Sequence, residues 1–213
     1  IADGAAPSNT IALPGAGEEV MANAFPGRPG ALRPRHIVGQ AGYHLGDGAC
    51  PLGRETWQGA LASSEVALTA ADLVLEGQKV AYALCRPPGH HAFRDMAAGF
   101  CFLNNVAIAA EHMLPAVARA AVLDIDIHHG NGTQAVFWER DDVLFVSIHA
   151  DPADFYPWFW GDAGQRGAGQ GTGFNVNLPL PLGTQDSLWL ETLDTALDLI
   201  GRFAPGVLLV SLG

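Results

Sequence analysis

The chain has 213 residues, is 49% hydrophobic and carries 22 acidic against 11 basic residues, for a net charge of -11. That length and apolar content suit one large domain, or part of one, with a sizeable core, and argue against compositional disorder. A nucleic-acid footprint needs clustered Lys and Arg, which are lacking here. No apolar run reaches the ~18–20 residues of a membrane span, and no basic-then-apolar secretory signal opens the chain. It begins at Ile1 rather than Met, so the natural N-terminus is expected to lie upstream. Cys50, Cys85 and Cys101 are odd in number and lack CxxC spacing. They read as reduced thiols of a cytoplasmic protein, not as a disulfide frame or Cys-type zinc site. The acidic balance chiefly serves solubility, although it would also steer a cationic substrate.

Taken in chain order, residues 1–53 are rich in Gly, Pro and Ala and read as loops around one or two short strands near 37–42. Residues 54–76 place Trp57, Leu61, Val66, Ala70, Leu73 and Val74 at helical spacing, with Gly77 as the stop. Residues 79–85 form a short apolar run before Pro87-Pro88-Gly89, as a buried strand would. A helix is expected over 103–114, stopped before Pro115, then a strand over 120–127 and a short helix over 133–140. A strand over 143–148, a helix over 186–203 and a strand over 206–212 complete the series. Such alternation implies a mostly parallel sheet covered on both faces. The glycine-rich stretch 161–173 lacks the Gly-Lys-Ser/Thr of a phosphate cradle and reads as a mobile loop beside a site.

Two clusters carry the chemistry. One is Arg86-Pro87-Pro88-Gly89-His90-His91-Ala92; the other is Leu123-Asp124-Ile125-Asp126-Ile127-His128-His129-Gly130-Asn131-Gly132. Period-two alternation along 120–127 would point Asp124, Asp126 and His128 one way and Leu123, Ile125 and Ile127 the other. A solvated edge strand would accommodate the two carboxylates, but the apolar flanks argue for burial, where they would repel. A bound cation removes that difficulty. Asp-x-His offers one oxygen and one nitrogen, and a further carboxylate would leave an open position, as in a catalytic zinc site. The turn at Pro87-Pro88-Gly89 can aim both His90 and His91 into a cavity, where they would serve as general base and electrostatic partner.

At these residues the chain resembles the histone deacetylase superfamily. The resemblance runs through 86–92, 99–105, 123–132 and Ser147-Ile148-His149. It is nearest the acetylpolyamine amidohydrolase and class II-like branch through Gly42-Tyr43, Asp47, Ala49-Cys50-Pro51-Leu52, Thr56-Trp57, His149-Ala150-Asp151-Pro152 and Phe155-Tyr156-Pro157. It implies the three-layer α/β arginase–deacetylase fold, in a single domain over 1–213 with a loop-rich entry segment (1–53) and an α/β core (54–213). Asp126 and His128 correspond to two zinc ligands, with ferrous iron as the other metal option. His91 corresponds to the proton shuttle, His90 to its electrostatic partner, Asp124 to the acid orienting His90, and Asn131 to the group orienting His91. A structural potassium ion is implied at Asp124 and Ser147 with carbonyls of Asp126, His128 and Ile148. A second monovalent site is implied at carbonyls of Phe137, Arg140, Val143 and Phe174. Gly99, Phe100 and Tyr156 correspond to the substrate tunnel, Tyr156 standing where phenylalanine is common and making the tunnel more polar.

The family's third zinc ligand and its transition-state tyrosine fall beyond Gly213. The C-terminal part is therefore expected to be missing, and this chain by itself is expected to be inactive. The implied reaction is metal-assisted hydrolysis of an acetylamide to acetate and amine. Small cationic acetylpolyamines and protein acetyl-lysines both remain open as substrates, the acidic balance favouring the former. A manganese ureohydrolase is disfavoured by the His90-His91 pair, and an incomplete, non-catalytic module is the alternative from another class. No nucleic-acid or membrane partner is implied, and a homodimer of the full-length protein stays open.

Overall fold

The computed structural model describes residues 10–12, 20–22, 24–25 and 32–213. Strands β1 (Thr10–Ala12) and β2 (Val20–Ala22) pair antiparallel near the N-terminus, apart from the main sheet. The main body follows as α1 (Ile37–Tyr43), α2 (Thr56–Leu75), α3 (Asn105–Val117), β3 (Ala120–Asp124) and α4 (Asn131–Phe137). It continues with β4 (Val143–Ala150), β5 (Asn175–Leu180), α5 (Asp186–Phe203) and β6 (Val207–Ser211). Four strands form one parallel sheet in the order β5-β4-β3-β6.

Alternation along the two central strands sorts the core into two layers. Ala120 and Val122 of β3 and Val143 and Phe145 of β4 pack on Ala107, Ala110 and Leu114 of α3 and Phe137 of α4. Ala121, Leu123, Leu144, Val146 and Ile148 face the other way, onto Ala196, Ile200 and Phe203 of α5. Both strands are buried throughout, as expected of parallel strands covered on two sides. The same parity carries Asp124 and Ser147 onto the α3/α4 side. Register sets Asp124 opposite Ser147 of β4 and Ser211 of β6, at the carboxyl ends of three adjacent strands. Open α/β sheets bind ligands at that end.

Several elements depart from the sequence reading. The region 37–42, read as strand, is helix α1; apolar runs this short do not separate the two periods. Helix α2 forms as expected, but Trp57, Leu61, Val66 and Leu73 are exposed. Its buried face is instead Ala60, Ser63, Ser64, Ala67 and Ala71, small residues that admit α3. Helix α3 continues through Pro115 and ends one turn later than expected, at Val117. Proline at that point forgoes one backbone hydrogen bond. Strand β5 adds to the elements expected from sequence, with Val176, Leu178 and Leu180 alternating; Pro179 is tolerated because β5 is an edge strand. The glycine-rich stretch is tied down rather than free. Ala168 N–H bonds the Trp138 carbonyl, Gly173 N–H bonds the Arg166 carbonyl, and Asn175 Nδ2 bonds the Gln165 carbonyl.

Residues 79–85 show strand-like alternation without a strand. Val80, Tyr82 and Leu84 are 83%, 72% and 77% exposed, whereas Ala81, Ala83 and Cys85 are half-buried. No neighbouring strand pairs with them among the described residues. A groove of about 1080 Å³ separates them from β6, floored by α2 and α3 residues including Ala71, Ala109 and Met113. Among the described residues β6 pairs only with β3, and its Leu208 and Val210 are exposed on the sheet face that α5 covers elsewhere. An unpaired apolar edge templates association. The 213-residue chain is expected to self-associate with rising concentration in sedimentation velocity. Val210→Lys should shift it toward monomer, and a wild-type chain that stays monomeric at high concentration would show the edge to be inert.

Candidate active site

Strand β3 ends at Asp124, so Asp126 and His128 are not positioned by strand alternation as expected. They lie in a bend, brought together by side-chain-to-backbone hydrogen bonds two residues apart, a local habit of aspartate. Asp124 Oδ1 accepts the Asp126 N–H at 3.1 Å, and Asp126 Oδ1 accepts the His128 N–H at 2.7 Å. This leaves His128 Nδ1 3.0 Å from Asp126 Oδ1. A carboxylate oxygen and an imidazole nitrogen this close form a donor pair of the kind that brackets zinc or ferrous iron. Among the described residues no group of three or more His, Cys, Asp and Glu gathers around one such point, so the donor set counts two.

The His90-His91 turn is held from behind. Asn104 caps α3 through the Ala107 N–H, and its Nδ2 donates to the Ala92 carbonyl and to Thr133 Oγ1. Thr133 N–H in turn bonds the His90 carbonyl. At Gly132 a Cβ would collide with the Ala92 carbonyl, so this contact between the two clusters requires glycine. The result is two buried imidazoles with ring centres 4.0 Å apart, each oriented by one partner.

His90 Nδ1–H donates to Asp124 Oδ2 at 2.9 Å, and its Nε2 stands 3.9 Å from Asp126 Oδ2. Burial alone would lower its pKa, but the Asp124 carboxylate outweighs that and the value is raised. His91 Nδ1–H donates to Asn131 Oδ1 at 2.7 Å; the same oxygen accepts Gly132 N–H, which fixes the amide's orientation. Burial, reinforced by His90, lowers the His91 pKa to about 3. His91 is therefore neutral at physiological pH, with its Nε2 lone pair unprotonated. Asp124 favours the charged form of His90 while His91 keeps a free lone pair, and this division follows from an aspartate behind one and an asparagine behind the other.

Asp124 is fully buried beside Ser147 of the adjacent strand. His149 Nε2–H donates to the Gly161 carbonyl, so its Nδ1 accepts the Ser147 hydroxyl hydrogen at 2.9 Å. The Ser147 oxygen thus keeps its lone pairs for another group. Of the carbonyls expected at an outer cation site, Phe137 accepts Arg140 N–H and Phe174 accepts Phe145 N–H. Behind the site, His129 Nε2–H donates to Asn177 Oδ1, while its buried Nδ1 has no hydrogen-bond partner.

Tyr156 stands edge-on to His91 and His128, at 5.1 and 5.7 Å between ring centres. Phe100 is exposed beside the site, at φ 66° next to Gly99. Two contributors carry no role in the sequence reading. Phe155 stacks on His128 at 5.2 Å, and Asp47 accepts the Tyr156 hydroxyl at 2.6 Å. Asp47 lies within the motif stretch 42–57, but spacing alone does not reveal a contact with residue 156. Cys50 and Cys101 are buried thiols pushed up to about 12 by burial, so they stay protonated and are poor nucleophiles.

The histone deacetylase domain matches residues 19–213. The chain is 53% identical over 197 residues to the acetylpolyamine amidohydrolase of Burkholderia pseudomallei, covering 92% of this chain and 57% of the relative. It is 46% identical to the acetylpolyamine amidohydrolase of Mycoplana ramosa, covering 92% and 58%. The chain thus spans somewhat over half the length of these curated relatives. The crystal structure of the Burkholderia pseudomallei acetylpolyamine aminohydrolase superposes with a TM-score of 0.88 over 92% of this chain and 57% of that one. A histone deacetylase homologue from Aquifex aeolicus superposes at 0.73 with 32% identity, covering 79% and 45%. The fold is that of the arginase–deacetylase proteins, and the chain belongs to the histone deacetylase family.

Proposed function

We propose that the intact protein hydrolyses acetylated amines, acetylpolyamines before others, to acetate and free amine. The observation that carries this reading is the buried His90-His91 pair, each with its own orienting partner, set beside the Asp126–His128 donor pair. The similarity to acetylpolyamine amidohydrolases supports the substrate class.

Asp126 and His128 would hold zinc or ferrous iron, with a further donor from outside the described residues. Such a cation polarises a carbonyl and makes water a better nucleophile near neutral pH. His91 does the proton work: its Nε2 takes a proton from the attacking water and returns it to the departing amine nitrogen. Asn131 holds Nδ1–H, which leaves Nε2 as the reactive atom. His90, whose charged form Asp124 favours, is the electrostatic partner at the place where the oxyanion develops. Tyr156 and Phe100 flank the alkyl stem. Potassium is proposed at Asp124 and the Ser147 oxygen, where a second cation would offset a fully buried carboxylate.

The deciding experiment compares kcat/KM of the intact protein for acetylputrescine and for an acetyl-lysine peptide at two salt concentrations. The polyamine is expected to be preferred, and the preference to shrink with salt as exposed charge is screened. Preference for the peptide at low salt would overturn the substrate assignment.

Two further outcomes follow from the division of roles. His91→Ala should lower kcat by about 10²–10⁴-fold, the range for a general acid–base group, while leaving metal content near wild type. Asp126→Ala should strip the metal; elemental analysis of both variants checks this, and loss of metal from His91→Ala would contradict it. Replacing a bulky organic cation by potassium at constant ionic strength should raise Tm, because an ion bound only by the folded state stabilises it. A flat response across a wide potassium range would remove the cation site.

A further inference from the structure

One carboxylate oxygen joins Tyr156 to the Gly99-Phe100 turn, the two segments proposed to flank the substrate stem. Asp47 Oδ2 accepts the Gly99 N–H at 3.0 Å and the Tyr156 hydroxyl at 2.6 Å, while Oδ1 accepts the Ala49 N–H at 2.9 Å. The last of these bonds fixes the carboxylate to its own loop, so both walls are referred to one rigid point. The phenol-to-carboxylate distance is that of a charge-assisted bond, which is about twice as strong as a neutral one. Burial together with Asp47 raises the Tyr156 pKa, so the phenol keeps its proton and remains the donor.

The Gly99 wall is equally constrained. Gly99 has φ 52° and Phe100 has φ 66°, inside a turn closed by hydrogen bonds in both directions between Ala98 and Cys101. A Cβ on Gly99 would collide with the His91 ring and lie 2.9 Å from the Tyr156 hydroxyl. Gly99, the His91 ring and the end of Tyr156 therefore meet at one place, and Asp47 holds two of the three. A phenylalanine at 156 could keep the ring contacts with His91 and His128, but it would lack the hydrogen bond to Asp47. The tyrosine hydroxyl is thus spent on Asp47, and it fixes the wall rather than simply adding polarity to the channel.

We propose that Asp47 is a positioning residue that sets the width of the slot, holding Tyr156 and the Gly99-Phe100 turn in fixed relation and restricting the site to acylated amines with unbranched alkyl stems. This rests on the amidohydrolase reading of the site. Asp47 acts through Gly99 and Tyr156 and does not itself touch the reacting atoms.

The test uses the metal-loaded intact protein with N-acetyl-n-pentylamine and N-acetyl-3-methylbutylamine. Wild type should favour the straight chain by about 10–200-fold in kcat/KM, the range a hydrophobic pocket achieves over a methyl group's worth of shape. Asp47→Ala and Tyr156→Phe should each lower that ratio, chiefly by improving the branched substrate relative to the straight one, without loss of metal. The double variant should lose no more discrimination than Asp47→Ala alone. Asp47→Asn should restore most of it, since a carboxamide oxygen can still take both donors. An unchanged ratio in Asp47→Ala, with kcat lowered equally for both substrates, would overturn the proposal. If wild type turns over neither amide, the amidohydrolase reading itself falls, and thermal unfolding of wild type, Asp47→Ala, Tyr156→Phe and the double variant decides the tie separately. Non-additive Tm shifts for Asp47→Ala and Tyr156→Phe would support it; additive shifts would overturn it.

Discussion

The site depends on a buried carboxylate. Asp124, at the end of β3, is fully inaccessible to solvent, and a charge so placed is tolerated only when it is well paired and hydrogen-bonded. Its two oxygens do separate work: one holds His90 Nδ1–H, and the other holds the Asp126 backbone that begins the turn toward His128. His90 and the Asp126–His128 pair are therefore positioned from one point at the mouth of the sheet. Removing one partner of such a buried pair typically costs about 3–5 kcal/mol, because it strands the other. The sheet exists, in functional terms, to bury this group: β4 and β6 flank β3 on either side, with serines in register with the aspartate.

The two histidines show how a small difference in environment separates chemical roles. Both are buried, and burial alone would neutralise both. Asp124 behind His90 reverses that effect; Asn131 behind His91 does not. An amide oxygen fixes the tautomer as firmly as a carboxylate but adds no charge, so His91 keeps a lone pair available. The adjacent positive charge of His90 depresses His91 further. Similar logic recurs at Ser147, whose hydrogen is taken by His149 because the Gly161 carbonyl already commits the other ring nitrogen.

Much of this is legible in the linear chain. The helix over Asp186–Phe203 follows directly from its apolar spacing, and the parallel sheet follows from strand–helix alternation. The histidine and aspartate clusters stand out because few structural uses exist for such residues beside glycine turns. The reason for their convergence was not legible: Asp126 and His128 meet through local hydrogen bonds past the end of β3, not through strand alternation. The buried face of α2 is not legible in the sequence, because apolar residues at helical spacing do not reveal that Ala and Ser line the contact with α3. Asp47 remained without a role because its partner lies 109 residues away. Long-range hydrogen bonds of this kind leave no periodic signal.

The proposed roles place a catalytic metal at Asp126 and His128 and keep His90 and His91 outside its coordination shell. Anomalous diffraction at the zinc edge, from crystals of the intact protein grown with zinc, tests this placement most directly. The account predicts one peak within bonding distance of an Asp126 oxygen and His128 Nδ1, with His91 Nδ1 still on Asn131. A peak ligated by His90 or His91, or full zinc occupancy elsewhere with none at Asp126 and His128, would contradict it.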